Sequence, residues 1–88
     1  MIKKVQLKEP IIYFLIKNKK IIYIGESDIG IKRIFEHRAS KNFDTAKYIS
    51  SNNLKFLENN LFRKYYEARL IRFFKPKENG NGNYGTPP

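Results

Sequence analysis

The chain has 88 residues, room for one domain with a modest core and too few for a catalytic unit plus a separate recognition domain. Its formal charge is +10, from 18 Lys and Arg against 8 Asp and Glu, so an anionic partner is expected, nucleic acid foremost. The lack of cysteine excludes disulfides, thiolate nucleophiles and zinc knuckles, and 41% apolar with 15% aromatic residues argues for a folded chain rather than a disordered one.

Residues 11 to 16 and 21 to 25 are β-prone runs separated by Lys17, Asn18, Lys19 and Lys20, the pattern of a hairpin. Both runs are apolar on both faces, which implies a central sheet covered on each side. Neither is long enough to span a bilayer, and the N-terminus lacks the long apolar core of a signal peptide, so an intracellular protein without a membrane partner is expected. A two-residue turn at Asn18 and Lys19 would pair Tyr13 with Ile24 and set Tyr13 and Tyr23 on opposite faces. An odd loop or a bulge would set them side by side.

Ser27 or Asp28 is expected to cap a helix reaching about Ser40, with Ile31, Ile34 and Phe35 facing the core. Arg33 and His37 then stand four apart on one face of it. Residues 44 to 50 read as a third strand, and 51 to 60 fit a short helix about as well as an extended piece. A helix is predicted from 61 to 74, capped by Asn59 or Asn60 and ended by Pro76. Its expected packing stripe is Phe62, Tyr66, Leu70, Phe73 and Phe74. Residues 80 to 88, rich in Gly and Asn, read as a loose tail or the start of a linker, which leaves 1 to 79 as the domain.

The positive charge is blocked. Residues 1 to 20 hold six Lys against Glu9, and residues 61 to 77 hold six Lys and Arg against Glu67, a net +5 in each. Such blocks suit contact with a phosphate backbone. Glu67 is a lone carboxylate within an aromatic-rich helix. It reads either as the partner of Arg63 or Lys64 in a salt bridge or as a ligand for a divalent metal. Arg33 can be a solubilising surface residue or the partner of a phosphodiester oxygen, and His37 can be inert or a proton carrier.

Taken together, Tyr23-Ile24-Gly25, Arg33, His37, the helix segment Tyr66-Glu67-Ala68-Arg69 and the closing Lys75-Pro76-Lys77-Glu78-Asn79 resemble the GIY-YIG nuclease family. The likeness spans residues 11 to 79. It departs from the family in the first motif, Ile11-Ile12-Tyr13, where Ile11 stands in place of the family's Gly, and at Glu26, a carboxylate that must face away from a phosphate or be paired. The resemblance implies an α/β fold of the α+β type, a three-stranded antiparallel sheet flanked by helices, which agrees with the element order read above. It implies a one-metal DNA endonuclease using Mg²⁺ or Mn²⁺.

In that reading Glu67 binds the metal, Tyr13 or Tyr23 deprotonates the attacking water, and Arg33 stabilises charge on the phosphate. His37 relays the proton and Asn79 braces the site. Lys32, Arg63, Arg69, Arg72 and Lys75 are expected along the DNA backbone. DNA is then the partner of a monomer in the nucleoid, cytoplasm or nucleus, with a separate domain or protein supplying recognition. The alternative is a nucleic-acid-binding module that keeps the fold without turnover. A shared site requires both tyrosines on one face, so the sequence reading expects an odd loop or bulge and rejects the two-residue turn.

Overall fold

A computed structural model describes residues 9–79; the expected tail at 80–88 lies outside them. Strands β1 (Ile11–Lys17) and β2 (Lys20–Ser27) form an antiparallel hairpin, and β3 (Thr45–Ser50) pairs antiparallel with the other side of β1. The sheet order is therefore β2-β1-β3. Helix α1 (Lys32–His37) connects β2 to β3, and helix α2 (Asn60–Phe74) follows, flanked by 3-10 turns at Lys55–Glu58 and Lys77–Asn79. This is a small α+β domain with a three-stranded antiparallel sheet flanked by helices. Among the described residues no helix is long and apolar enough to cross a membrane.

The core follows from the central place of β1. Ile11, Tyr13 and Leu15 point to the α1 side and pack with Ile22 and Ile34, while Ile12 points to the α2 side and packs with Ile24, Leu57 and Ile71. A strand covered on both faces has no polar side to show, which is why residues 11 to 16 carry no alternation.

Asn18 and Lys19 do form the two-residue turn that the sequence reading rejected, with φ of 52° and 66°. Two left-handed residues match the twist of a hairpin, and Lys in place of Gly costs about 1 kcal/mol there. The tyrosines nevertheless share a face, because the register shifts between Leu15 and Ile16. Ile16 pairs with Ile21 but Leu15 pairs with Tyr23, so Ile22 is an extra residue bulged into the α1-side core.

Helix α1 is shorter than expected and starts at Lys32. Neither residue taken for its cap serves as one: Ser27 remains in β2, paired with Ile11, Asp28 lies in the bend after it, and the cap position falls to Ile31, which makes no side-chain cap. Ser27 Oγ instead accepts the Ile29 N–H at 3.0 Å, which tightens the turn out of the strand. Ile34 is buried and Ile31 packs on the core, whereas Phe35 is exposed.

The stripe assigned to α2 is also corrected. Phe62, Phe73 and Phe74 are exposed, Tyr66 and Leu70 are half-buried, and the residues buried against the sheet are Arg63 and Ile71. Asn59 caps the helix by accepting the Phe62 N–H at 3.0 Å. Arg63, only 2% exposed, cannot lie along a DNA backbone. Its Nε donates to Glu26 Oε1 at 2.6 Å, Nη1 to the Leu57 carbonyl at 2.9 Å and Nη2 to Asn60 Oδ1 at 2.8 Å. A planar guanidinium with acceptors on three of its edges can be buried; an unpaired one cannot. Beyond Phe74 the helix stops because Lys75 turns left-handed, with φ of 49°, and Pro76 follows it into the interior.

Candidate active site

The bulge sets Tyr13 and Tyr23 on the α1 face of neighbouring strands, with ring centroids 6.2 Å apart. Tyr13 leans across β2 over Gly25, its direct partner in the ladder. A Cβ at Gly25 would overlap Tyr13 Oη and Cζ, so the glycine of Tyr23-Ile24-Gly25 is what leaves the phenol its place. From the end of α1, His37 brings Nε2 to 2.7 Å from Tyr13 Oη. Its ring lies 5.5 Å from the Tyr13 centroid and 5.0 Å from that of Tyr23, which closes a cluster of three rings. Lys41, which sequence reasoning passes over, sits 4.5 Å from the Tyr23 centroid and pairs with Glu78 at 3.7 Å. No period or motif marks it, because it follows the helix in an irregular segment.

Asn79 holds the outer side of this cluster in place. β2 is an edge strand, and the Asn79 amide takes the position of a missing neighbour. Its Oδ1 accepts the Ile24 N–H at 2.9 Å and its Nδ2 donates to the Ile24 carbonyl at 2.8 Å, between Tyr23 and Gly25. Glu26, the departure noted in the sequence, is paired: Lys64 Nζ lies 2.9 Å from Oε2, opposite the Arg63 bond to Oε1. Burial works to raise the Glu26 carboxyl, but hydrogen bonds from Lys64 and Arg63 outweigh it and hold the group low.

Because both of those cations are committed to Glu26, the salt bridge considered for Glu67 does not form among the described residues. Burial and then the neighbouring Glu26 charge push the Glu67 carboxyl up to about 7, with Lys64 opposing them. Burial also pushes the Tyr13 phenol well above its ordinary value, helped by the adjacent Tyr23. Tyr23 is raised by burial and then by the Glu67 charge, so the carboxylate is felt at the phenols. The positive charge of Arg33 lowers both tyrosines in part. His37 is held low by burial, then by Lys41 and Arg33, which keeps its imidazole neutral near pH 7 and lets Nε2 accept the Tyr13 O–H.

Arg33 itself is exposed and touches only Glu36 of its own helix, at 3.3 Å, among the ion pairs of the described residues. Lys32 is exposed beside it, and Arg69, Arg72 and Lys75 are exposed along α2. Arg69 donates to Tyr65 Oη at 3.1 Å and stacks on that ring. Among the described residues no group of three or more His, Cys, Asp or Glu side chains gathers in a metal-ligand cluster. The residue whose chemistry fits a divalent cation is Glu67. Its carboxylate is crowded by the Glu26 charge and, among the described residues, forms no ion pair, so an added positive charge would stabilise its ionised form. Compared with known proteins, the chain matches no family model, no curated sequence and no solved structure.

Proposed function

We propose that this chain is the catalytic module of a metal-dependent DNA endonuclease of the GIY-YIG type. The observation that carries the reading is the meeting of Tyr13, Tyr23 and His37 on one sheet face, with Arg33 and Glu67, from separate helices, close enough to shift their titration. Five polar side chains of this kind, three of them in a half-buried cluster of rings, are more than packing requires.

Tyr13 passes its proton to His37 Nε2 as it takes one from the attacking water, so no free phenolate has to form despite the raised pKa. Tyr23 lines the same approach and keeps the water oriented. Arg33, exposed and weakly paired, turns to the phosphate and stabilises the charge that builds in the transition state. Glu67 would hold Mg²⁺ or Mn²⁺, an ion that supplies Lewis-acid polarisation of the phosphate and stabilises the leaving oxygen. Asn79 fixes the strand from which Tyr23 and Gly25 project. Lys32, Arg69, Arg72 and Lys75 contact the DNA backbone, and a separate domain or protein supplies the sequence or structure specificity of a monomeric module.

The test is incubation with supercoiled plasmid and Mg²⁺ beside a Glu67→Ala variant. The expected result is metal-dependent nicking that falls to background in the variant. A second reading, a binding module without turnover, is favoured by the burial that makes both phenols poor bases and leaves Glu67 half-protonated at neutral pH. Equal DNA binding by both proteins with no nicking by either would establish it and sink the enzyme.

A further inference from the structure

A groove of about 710 Å³ opens between the hairpin turn and the C-terminal end of α2. Its walls carry Lys17, Lys19, Lys20, Lys75 and Lys77 beside Phe74, and among the described residues no Asp or Glu lines it. None of these residues belongs to the tyrosine cluster. The lysines come from the two charge blocks, residues 1 to 20 and 61 to 77, which lie far apart in the sequence and meet here. One carboxylate stands near the turn, where Asp44 Oδ2 accepts the Asn18 N–H at 3.2 Å, and Lys17 is engaged by Asn42 at 3.3 Å. Positive charge remains in large excess.

We infer that this groove is a track for a nucleic-acid phosphate backbone, extending the DNA contact of the candidate active site to the turn end of the hairpin. It rests on the proposed function for the choice of DNA as the polyanion. Folding brings these like charges together at an electrostatic cost that an anionic occupant would offset. Two of the lysines, Lys19 and Lys75, also hold left-handed backbone positions, with φ of 66° and 49°, where glycine is the favoured residue. Each keeps a long cationic side chain at a place where the backbone would be relaxed without one, and an outlier of that kind points to use of the side chain. A concave channel suits a chain-like polyanion better than the flat surface of a membrane, and the exposed Phe74 ring offers a face on which a base or sugar can pack.

The test compares the full chain with a triple variant, Lys19→Gly, Lys75→Gly and Lys77→Gln. Binding to a fluorescein-labelled 24-bp duplex is followed by anisotropy from 50 to 200 mM NaCl, about the range over which counterion release is read. The slope of log K against log[salt] should become shallower by about 2 to 3, roughly 0.9 for each phosphate contact removed, and affinity at low salt should fall at least about tenfold. Thermal stability should not fall, because glycine relaxes both left-handed positions. A control of equal charge change elsewhere, Arg38→Gln, Lys47→Gln and Lys55→Gln, should keep most of the slope. An unchanged slope in the groove variant, or equal losses in both variants, overturns the inference. So does a groove variant that loses binding to phosphatidylserine vesicles and not to DNA. The two proposals fail separately: a wild type that never nicks plasmid but shows the groove-dependent slope loses the nuclease and keeps the track. Nicking lost only with Glu67→Ala, with the slope insensitive to the groove lysines, does the reverse.

Discussion

On the α2 side of the sheet, Arg63 is buried with Glu26, Leu57 and Asn60 as acceptors, and Glu26 is held ionised by two cations. On the α1 side, Tyr13 is equally buried but bonds through its hydroxyl to His37, while Glu67, carried by α2 and beside the same Glu26 charge, forms no ion pair among the described residues and is raised rather than lowered. Both faces bury polar groups, and the difference lies in what surrounds them. A group that holds a fold together collects partners until its charged form is the stable one. A group poised for proton transfer keeps few partners and a shifted pKa. The contrast sets a structural cluster, Arg63 with Glu26, against the candidate reactive one, Tyr13 and His37 with Glu67, and it can be broken from either side.

The largest expected effect is in the structural cluster. Arg63→Ala removes the cation from a buried pair and leaves the Leu57 carbonyl and Asn60 side chain without their donor, a loss of about 3–5 kcal/mol. A domain of this size is stable by about 4–12 kcal/mol in all, so urea unfolding should show a collapsed midpoint or no folded baseline. A loss below about 1 kcal/mol would mean that Lys64 alone satisfies Glu26 and that the cluster is not built on Arg63.

In the candidate reactive cluster the expected sign reverses. Glu67 titrates near 7 in the folded chain, above the ordinary carboxylate value of 4.5. Between those values the folded state binds more protons than the unfolded one, so this group's contribution to stability falls as pH rises from about 4.5 to about 7. The full shift corresponds to about 3 kcal/mol, and partial solvent exposure reduces that to about 1–2 kcal/mol. Glu67→Gln should therefore stabilise the metal-free protein by about that amount at pH 8 and hardly at all below pH 4.5, while abolishing nicking. A variant less stable than wild type at pH 8 would show that the carboxylate is held by partners, as Glu26 is, and the contrast between the two clusters would fail.

How far the sequence reached depended on the kind of pattern involved. The strands were legible because residues 11 to 16 and 21 to 25 are continuous apolar runs, and the cap was legible in Asn59 because an Asn before a helix has one common use. The bulge at Ile22 was expected only through the resemblance, and its partner feature, the two-residue turn, was misjudged. Local composition does not say whether an extra residue sits in a loop or in a strand. The stripe of α2 failed because aromatic residues were assumed to face inward, whereas Phe62, Phe73 and Phe74 are exposed. A signal was present: Arg63, Glu67 and Ile71 fall on one i, i+4, i+8 row, so an inward Glu67 carries Arg63 inward with it. Among the proposed site residues, Tyr13, Tyr23 and His37 are gathered by contact, whereas Lys41 and the clearance above Gly25 depend on packing that no spacing records.

The smallest expected effect on stability belongs to Arg33, and it sharpens the comparison because it sets one arginine against another. Arg33 and Glu36 are both nearly half exposed on α1 and lie 3.3 Å apart, the kind of surface pair worth no more than about 0.5 kcal/mol. Arg33→Gln should leave the unfolding midpoint almost unmoved. If its guanidinium stabilises the phosphate in the transition state, nicking should drop by about 10²–10³, the range seen when one donor to a developing charge is removed. DNA affinity should change little, since one exposed cation accounts for about one phosphate contact and a salt slope near 0.9. Arg63→Ala should do the opposite: activity lost in proportion to the fraction unfolded, and recovered when the temperature is lowered enough to refold it. Two arginines of identical chemistry would then separate by environment alone, the buried one measured by unfolding and the exposed one by turnover. Equal losses of stability in both variants would show that α1 is held by the Arg33 and Glu36 pair, and Arg33 would have to be counted with the scaffold.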